Sequence, residues 1–318
     1  MLKIESNLSY LALEFVRVTD QAAIAASKWI GKGEKKLADK AAVEAMRECF
    51  NQIDFAGEIV IGEGGKDEAP ELYIGEKIGA GQNPVLDIAV DPLECTSSVA
   101  YGRPNALTVI AAGPKNTLYH AIDSYMEKIA VGPEASKVID IDAPIHENLK
   151  NIAQALNKKI EDITVAVLDR PRHEELIKKI RASGARVQIF SDGDIAMAIA
   201  TCLPDSPIDL LIGIGGSTEA VLSAAALKCL GGTIFCHWYP KDEKVVARLN
   251  QAGITDFKKI YSLDDLAKGD NLIFIATGVI SGPLLKGVII KESKTITHSV
   301  IMSSNPKTIR FIKTLHKK

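Results

Sequence analysis

Two clusters of carboxylates stand just past short β-rich runs, and oxygen ligands so placed suit hard divalent cations such as Mg²⁺ or Mn²⁺. The run VLDIAV (85–90) leads into Asp91-Pro92-Leu93-Glu94-Cys95-Thr96-Ser97-Ser98. Pro92 is expected to end that strand and leave Asp91 at its carboxyl end, where ligand sites in α/β sheets usually open. Glu94 follows three residues on, so a tight turn can aim both carboxylates at one point. Thr96 to Ser98 would begin a helix, whose free amides and positive dipole end favour a phosphate. Capping of that helix by Asp91 and Glu94 is an equally open role. The second cluster follows EIVIG (58–62): Glu63, Gly64, Gly65, Lys66, Asp67 and Glu68. Its glycines permit close backbone approach, although Asp67 and Glu68 also suit a solvated turn. Together the clusters could supply a multi-metal clamp that polarises a phosphoryl oxygen and deprotonates water.

The elements that must position these groups change character along the chain. The first third reads as two helices, one that Thr19 and Asp20 could start or extend and one from about Leu37 to Phe50, followed by strands. ALTVIAAG (106–113) is a further strand. From about Asn148, helical stretches alternate with the runs ITVAVL, RVQIF, IDLLIG and TIFCHW. That alternation predicts an α/β domain with a largely parallel sheet. The last fifty residues return to short β runs. The domains are expected at 1–158 and 159–318, with the final strands, from about 290, open to returning to the first.

The bulk properties exclude several classes. The 318 residues are 47% hydrophobic and 25% charged with a net charge of −2, which suits a globular protein and gives no footprint for nucleic acid. Five cysteines form no CxxC pair and predict free thiols in a reducing compartment. No apolar run approaches the roughly 18 residues a membrane span needs. A cytoplasmic protein is expected. Gly213-Ile214-Gly215-Gly216 lacks the third glycine of a dinucleotide loop, because Thr218 stands there. His173 is expected to open the helix HEELIKKIRASG rather than touch a ligand.

The residues match a known pattern. Asp91, Pro92, Glu94 and Thr96 fit the signature Asp-Pro-x-Asp/Glu-Gly-Thr of the lithium-sensitive, metal-dependent phosphatases, which include the inositol monophosphatases. The segments ALEFVRVT (12–19), VIGEG with KDEAPELYIGEK (60–77), YMEKIAVGPEA (125–135), LDRPRHEELI (168–177), DGD (192–194), GIGGSTEAVLSAAALKCLGG and ATG (276–278) are more specific. In these the chain resembles, over nearly its whole length, the class II fructose-1,6-bisphosphatases.

The resemblance implies a layered αβαβα fold and a phosphatase removing the 1-phosphate of fructose 1,6-bisphosphate in gluconeogenesis, with sedoheptulose 1,7-bisphosphate as a second substrate. It implies Asp39, Glu63, Asp91, Glu94 and Glu219 as metal ligands, although periodicity alone puts Asp39 on an exposed helix face. Asp39, Glu63 and Thr96 would be catalytic, Thr96 and Asp39 orienting and deprotonating water. Glu94, Cys95 and Thr96 would hold the scissile phosphate. Tyr125, Arg170, Pro171, Arg172, Asp192, Gly193, Asp194 and Gly216 would bind the sugar and the distal phosphate. Guanidinium groups flanking Pro171 suit a phosphate clamp, and Asp192 and Asp194 can accept sugar hydroxyls or cap a helix. Lys35 and Asp67 are further candidates. A homo-oligomer, dimer or tetramer, is implied.

The chain departs from the pattern near the site. Cys95 replaces the signature glycine, and a positive φ there would strain it by about 1 kcal/mol. Gly65 replaces an acidic residue. Ser217-Thr218-Glu219-Ala220 replaces x-Pro-Glu-Gly, and Glu34 replaces an aspartate. The alternative is a degenerate member that binds metal and sugar phosphate without turnover.

Overall fold

A computed structural model describes residues 8–64 and 71–317. The chain forms two units, one running to His120 and resuming at Lys268, the other covering Ala121–Ala267. The division therefore falls elsewhere than residue 158, and the C-terminal return starts before 290. Backbone pairing sets the cut, since the strand at Tyr125–Val131 bonds to strands at Leu210–Gly216 and Thr233–Trp238.

In the first unit, α1 (Ala12–Ser27) and α2 (Lys35–Phe50) precede β1 (Ala56–Ile61), β2 (Lys77–Ile78) and β3 (Val85–Glu94). Then come α3 (Thr96–Tyr101) and β4 (Ala106–Pro114). The returning segment adds β11 (Ile273–Ile280), β12 (Ile289–Lys291), β13 (Lys294–Ser304) and β14 (Lys307–Lys317). Among the described residues the sheet has eight strands in the order β12-β13-β11-β4-β3-β1-β2, with β14 along β13. Among the described residues only β1 and β3 pair in parallel in this sheet.

Helix α1 begins at Ala12, so Thr19 and Asp20 extend it rather than start it; Thr19 is buried within it and bonds back to the Val16 carbonyl at 3.1 Å. Asp20 beside it is 2% exposed and accepts from Thr277 and Ser299. Phe15, Phe50 and Phe55 lock α1 and α2 to the segment before β1, their centroids 5.2–6.0 Å apart. Such edge-on pairs add about 0.5–1.5 kcal/mol each beyond area burial. That packing fixes α2, and with it Asp39.

Strand β3 does not stop at Pro92. It runs to Glu94, and its register against β4 shifts between Asp91 and Glu94. Proline lacks a ladder N–H, so a bulge is where a strand tolerates it. Asp91 thus lies within the strand, not at its end.

The second unit runs β5 (Tyr125–Val131), α4 (Ile145–Ala155), β6 (Thr164–Leu168), α5 (Glu174–Ala182), β7 (Arg186–Phe190) and α6 (Asp194–Ala200). It continues with β8 (Leu210–Gly216), α7 (Ser217–Leu230), β9 (Thr233–Trp238), α8 (Glu243–Gln251), β10 (Tyr261–Ser262) and α9 (Leu263–Leu266). The six strands lie in the order β10-β9-β5-β8-β6-β7. Only β6–β7 and β6–β8 are parallel. The sheet is mixed rather than largely parallel, because β5, outside the alternating pattern, inserts antiparallel between β8 and β9. The fold class is α/β. Among the described residues no helix is long and apolar enough to cross a membrane.

Candidate active site

In the first unit the structure brings Asp39, half-buried on α2, to Glu63, just past β1: their carboxyl groups share a hydrogen bond. Burial raises the Asp39 pKa, and the bond to Glu63 only partly offsets it. Two carboxyl groups in contact require a proton or a cation between them. The backbone supports this meeting. Glu63 N–H donates to the Leu72 carbonyl at 3.1 Å, and a Cβ on Gly62 would lie 2.0 Å from that same oxygen. Leu72 N–H in turn donates to Glu76, whose other oxygen takes Arg47 Nε of α2 at 2.6 Å. The strand-end carboxylate is therefore tied to the helix that carries Asp39.

Asp91 Oδ1 accepts from Leu93 N–H at 3.1 Å across the bulge, and Glu94 is 4% exposed. Thr96 donates its hydroxyl proton to the Leu93 carbonyl at 3.2 Å, which leaves the oxygen as an acceptor for a proton of water. Cys95 precedes α3 with φ +69° and ψ +48°, the left-handed conformation its replacement of glycine put in question. Lys35 is exposed and lies 5.2 Å from the Tyr101 ring centroid. Asp67, with Gly65, Lys66 and Glu68, falls outside the described residues. Among the described residues no three His, Cys, Asp or Glu side chains gather closely enough to hold a metal ion. The Asp39–Glu63 pair nonetheless fits a divalent cation, being anionic, oxygen-only and in mutual contact.

The second unit holds a cavity of about 360 Å³. Tyr125, Arg170, Arg172, Asp192, Gly193, Asp194, Gly216 and Glu219 all line it. Pro171 starts the 3-10 turn Pro171–His173 that presents both arginines. Arg170 donates to the carbonyls of Asp169 and Ser191, each at 2.8 Å, and faces Asp192 at 3.5 Å. Arg172 donates to the Ile214 carbonyl at 2.7 Å and lies 5.1 Å from the Tyr125 ring centroid.

His173 is 1% exposed, pairs Nδ1 with the Leu168 carbonyl at 2.7 Å and accepts from Ile214 N–H at Nε2, also at 2.7 Å. The accepting Nε2 makes the ring neutral, and burial lowers its pKa accordingly. It staples β6 to β8 from the start of α5. A Cβ on Gly213, at φ +144°, would come within 3.0 Å of it. The glycine run is thus the end of strand β8, paired to β5 and shaped by side chains, not a dinucleotide loop.

Sequence reasoning missed the buried cation that pairs with the lining residue Asp194. Lys128 of β5, 3% exposed, forms an ion pair with Asp194. Burial works against its charge, but Asp194 and Glu219 outweigh that and hold its pKa up. Glu219 has its own pKa raised by burial and by Asp194. A Cβ on Gly215 would lie 2.3 Å from Asp194 Oδ2, and one on Gly216 1.8 Å from Glu219 Oε2. Thr218 donates to Glu219 Oε2 at 2.8 Å, a bond the family's proline could not make. Strand alternation across YMEKIAV was the one available signal for Lys128. Lys241 and Arg248, also missed, sit in a mixed-charge stretch that reads as surface.

A family of phosphatases is defined by comparison with known proteins. The model of "Bacterial fructose-1,6-bisphosphatase, glpX-encoded" matches residues 9–316. The chain is 44% identical to a "Fructose-1,6-bisphosphatase class 2" of Haemophilus influenzae over 96% of each chain. It is 45% identical to "Fructose-1,6-bisphosphatase 1 class 2" of Escherichia coli K12, over 96% of this chain and 95% of that one. Among solved structures, an extragenic suppressor of Pyrococcus furiosus covers 61% of this chain and 70% of its own at 14% identity, with a TM-score of 0.33, too slight to bear on the fold. The chain belongs to the bacterial class 2 fructose-1,6-bisphosphatase family, and it is a phosphatase, a hydrolase of carbohydrate metabolism.

Proposed function

We propose that the protein hydrolyses the 1-phosphate of fructose 1,6-bisphosphate, giving fructose 6-phosphate and phosphate. The observation that carries this is the contact between the Asp39 and Glu63 carboxyl groups, which calls for a cation where the family's chemistry needs one. The Asp39 and Glu63 carboxyl groups would hold Mg²⁺ or Mn²⁺, with Asp91, Glu94 and Glu219 as further ligands on the resemblance alone. Bound there, the ion supplies Lewis-acid polarisation of the phosphoryl oxygen and a lowered water pKa. Asp39 takes the water proton, and Thr96 accepts the other to set the attack direction. Glu94, Cys95 and Thr96 cradle the scissile phosphate. Asp192, Gly193, Asp194 and Gly216 receive sugar hydroxyls, and the Tyr125, Arg170–Arg172 side of the cavity takes the distal phosphate.

Sedoheptulose 1,7-bisphosphate presents the same phosphate end and is the second substrate. A role in gluconeogenesis in the cytoplasm, as a homo-oligomer, follows from the same resemblance. The left-handed Cys95 favours the contrary reading, a sugar-phosphate binder without turnover. Phosphate release from sugar mono- and bisphosphates, with Mg²⁺, Mn²⁺ or chelator, separates the two. Release from the ketose bisphosphates that chelator abolishes is expected. No release with any metal would leave only the binder.

A further inference from the structure

The cavity of the second unit carries four cations, and they are not equivalent. Arg170 is committed: two carbonyls and Asp192 occupy its guanidinium. Among the described residues Arg248 reaches only the Asp123 carbonyl, at 3.4 Å. Lys241, exposed between β9 and α8, makes no ion pair with any described residue, and its Nζ lies 5.2 Å from the Tyr125 ring centroid. The Arg172 guanidinium lies 5.1 Å from that same centroid. Two cations converge on one aromatic ring, and no ion pair to a carboxylate is found for either among the described residues. Elsewhere the cavity is lined by Asp194 and Glu219, whose charges act on the buried Lys128 outside the lining. The cavity is thus polarised, with net positive charge at the Tyr125 ring and carboxylates that can accept hydroxyl protons elsewhere.

We infer that Lys241, which shares the Tyr125 ring with Arg172, is the specificity-determining cation for the distal phosphate. This rests on the proposed substrate. A phosphate dianion needs donors whose charge is not already neutralised, and Lys241 supplies three on a flexible stem. Arg170 instead holds the Asp169 and Ser191 backbones together, the two segments that flank the cavity after β6 and β7. The chain therefore discriminates a bisphosphate from a 1-phosphate through a residue beyond the motif around Pro171.

Calorimetric titration of the full-length wild type and Lys241→Ala with fructose 6-phosphate and with fructose 1-phosphate tests this. The position is exposed, so folding is retained, and circular dichroism checks it. Affinity for fructose 6-phosphate should fall about tenfold, close to 1.4 kcal/mol. Affinity for fructose 1-phosphate, which lacks the distal phosphate, should be unchanged. Equal affinities of the two proteins for fructose 6-phosphate, or equal losses on both ligands, would overturn the assignment. So would a wild type that does not bind fructose 6-phosphate. Turnover of the bisphosphate by the same preparations reports separately on the proposed reaction, since binding is read without it.

Discussion

The corner of the first unit around Asp39 and the cavity of the second are both crowded with charge, but they resolve it in opposite ways. In the cavity, opposite charges and dipoles meet: Lys128 with Asp194, Arg170 with Asp192 and two carbonyls, Arg172 with the Ile214 carbonyl. In the corner, Asp39 meets another carboxyl group, and burial pushes its pKa up. A region whose charges are matched except for the two cations at the Tyr125 ring is preorganised to receive a neutral sugar and one anion. A region with like charges in contact is incomplete by itself, and its missing partner is positive.

The sharpest way to break that contrast is Asp39→Asn, which removes one of the two facing carboxyl groups. Turnover should fall roughly 10³-fold or more, equivalent to about 4 kcal/mol of barrier. The same substitution should stabilise the metal-free protein at pH 7. The sign follows from linkage: a carboxyl whose folded pKa is raised contributes stability at low pH and loses it as pH rises through that value. Asparagine removes the loss. Thermal unfolding in chelator should therefore show a higher midpoint for the variant at pH 7, with the difference closing towards pH 4. An unchanged midpoint would mean that the carboxyl contact is not a source of strain.

How much of this contrast was legible beforehand depended on whether a residue's role was local or made by pairing. Cys95 carried a local signal, because a left-handed position can be suspected wherever a family glycine is replaced, and φ is +69°. Arg170 and Arg172 were found beside Pro171, but the sequence could not say which guanidinium the backbone carbonyls would occupy. Lys128 was hidden for a different reason. Its segment matches the family as a motif, whereas the alternation that turns Lys128 inward with Met126 and Ala130 belongs to it as a strand. Pro92 misled by an ordinary rule, since a bulge lets a strand pass through proline. Lys241 had no signal at all, because its neighbours Asp242, Glu243 and Lys244 look like any solvated helix start.

Lys128→Met would convert the balanced cavity into a second region of unmatched charge. Asp194 and Glu219 would remain without the ammonium between them, and breaking a buried pair in this way typically costs about 3–5 kcal/mol. Urea midpoints should fall accordingly, with an unchanged slope if the variant still unfolds in two states. Adding Asp194→Asn to Lys128→Met should recover part of the loss. A double variant no more stable than the single one would show that packing of the lysine stem, rather than its charge, is what the site of Lys128 needs.

The smallest effect expected belongs to Cys95→Gly, and it sharpens the comparison from the other side. The second unit already has glycine at its left-handed helix start, Gly193 with φ +90°, whereas the first unit places a β-carbon at Cys95. Relieving one such residue is worth about 1 kcal/mol, offset in part by glycine's greater freedom in the unfolded chain. The unfolding midpoint should therefore rise by only a few degrees at most. Phosphate binding or turnover should improve if the strained turn holds the scissile phosphate. A variant that gains stability without tighter phosphate binding would confine the strain to folding, and would move the phosphate cradle away from residue 95.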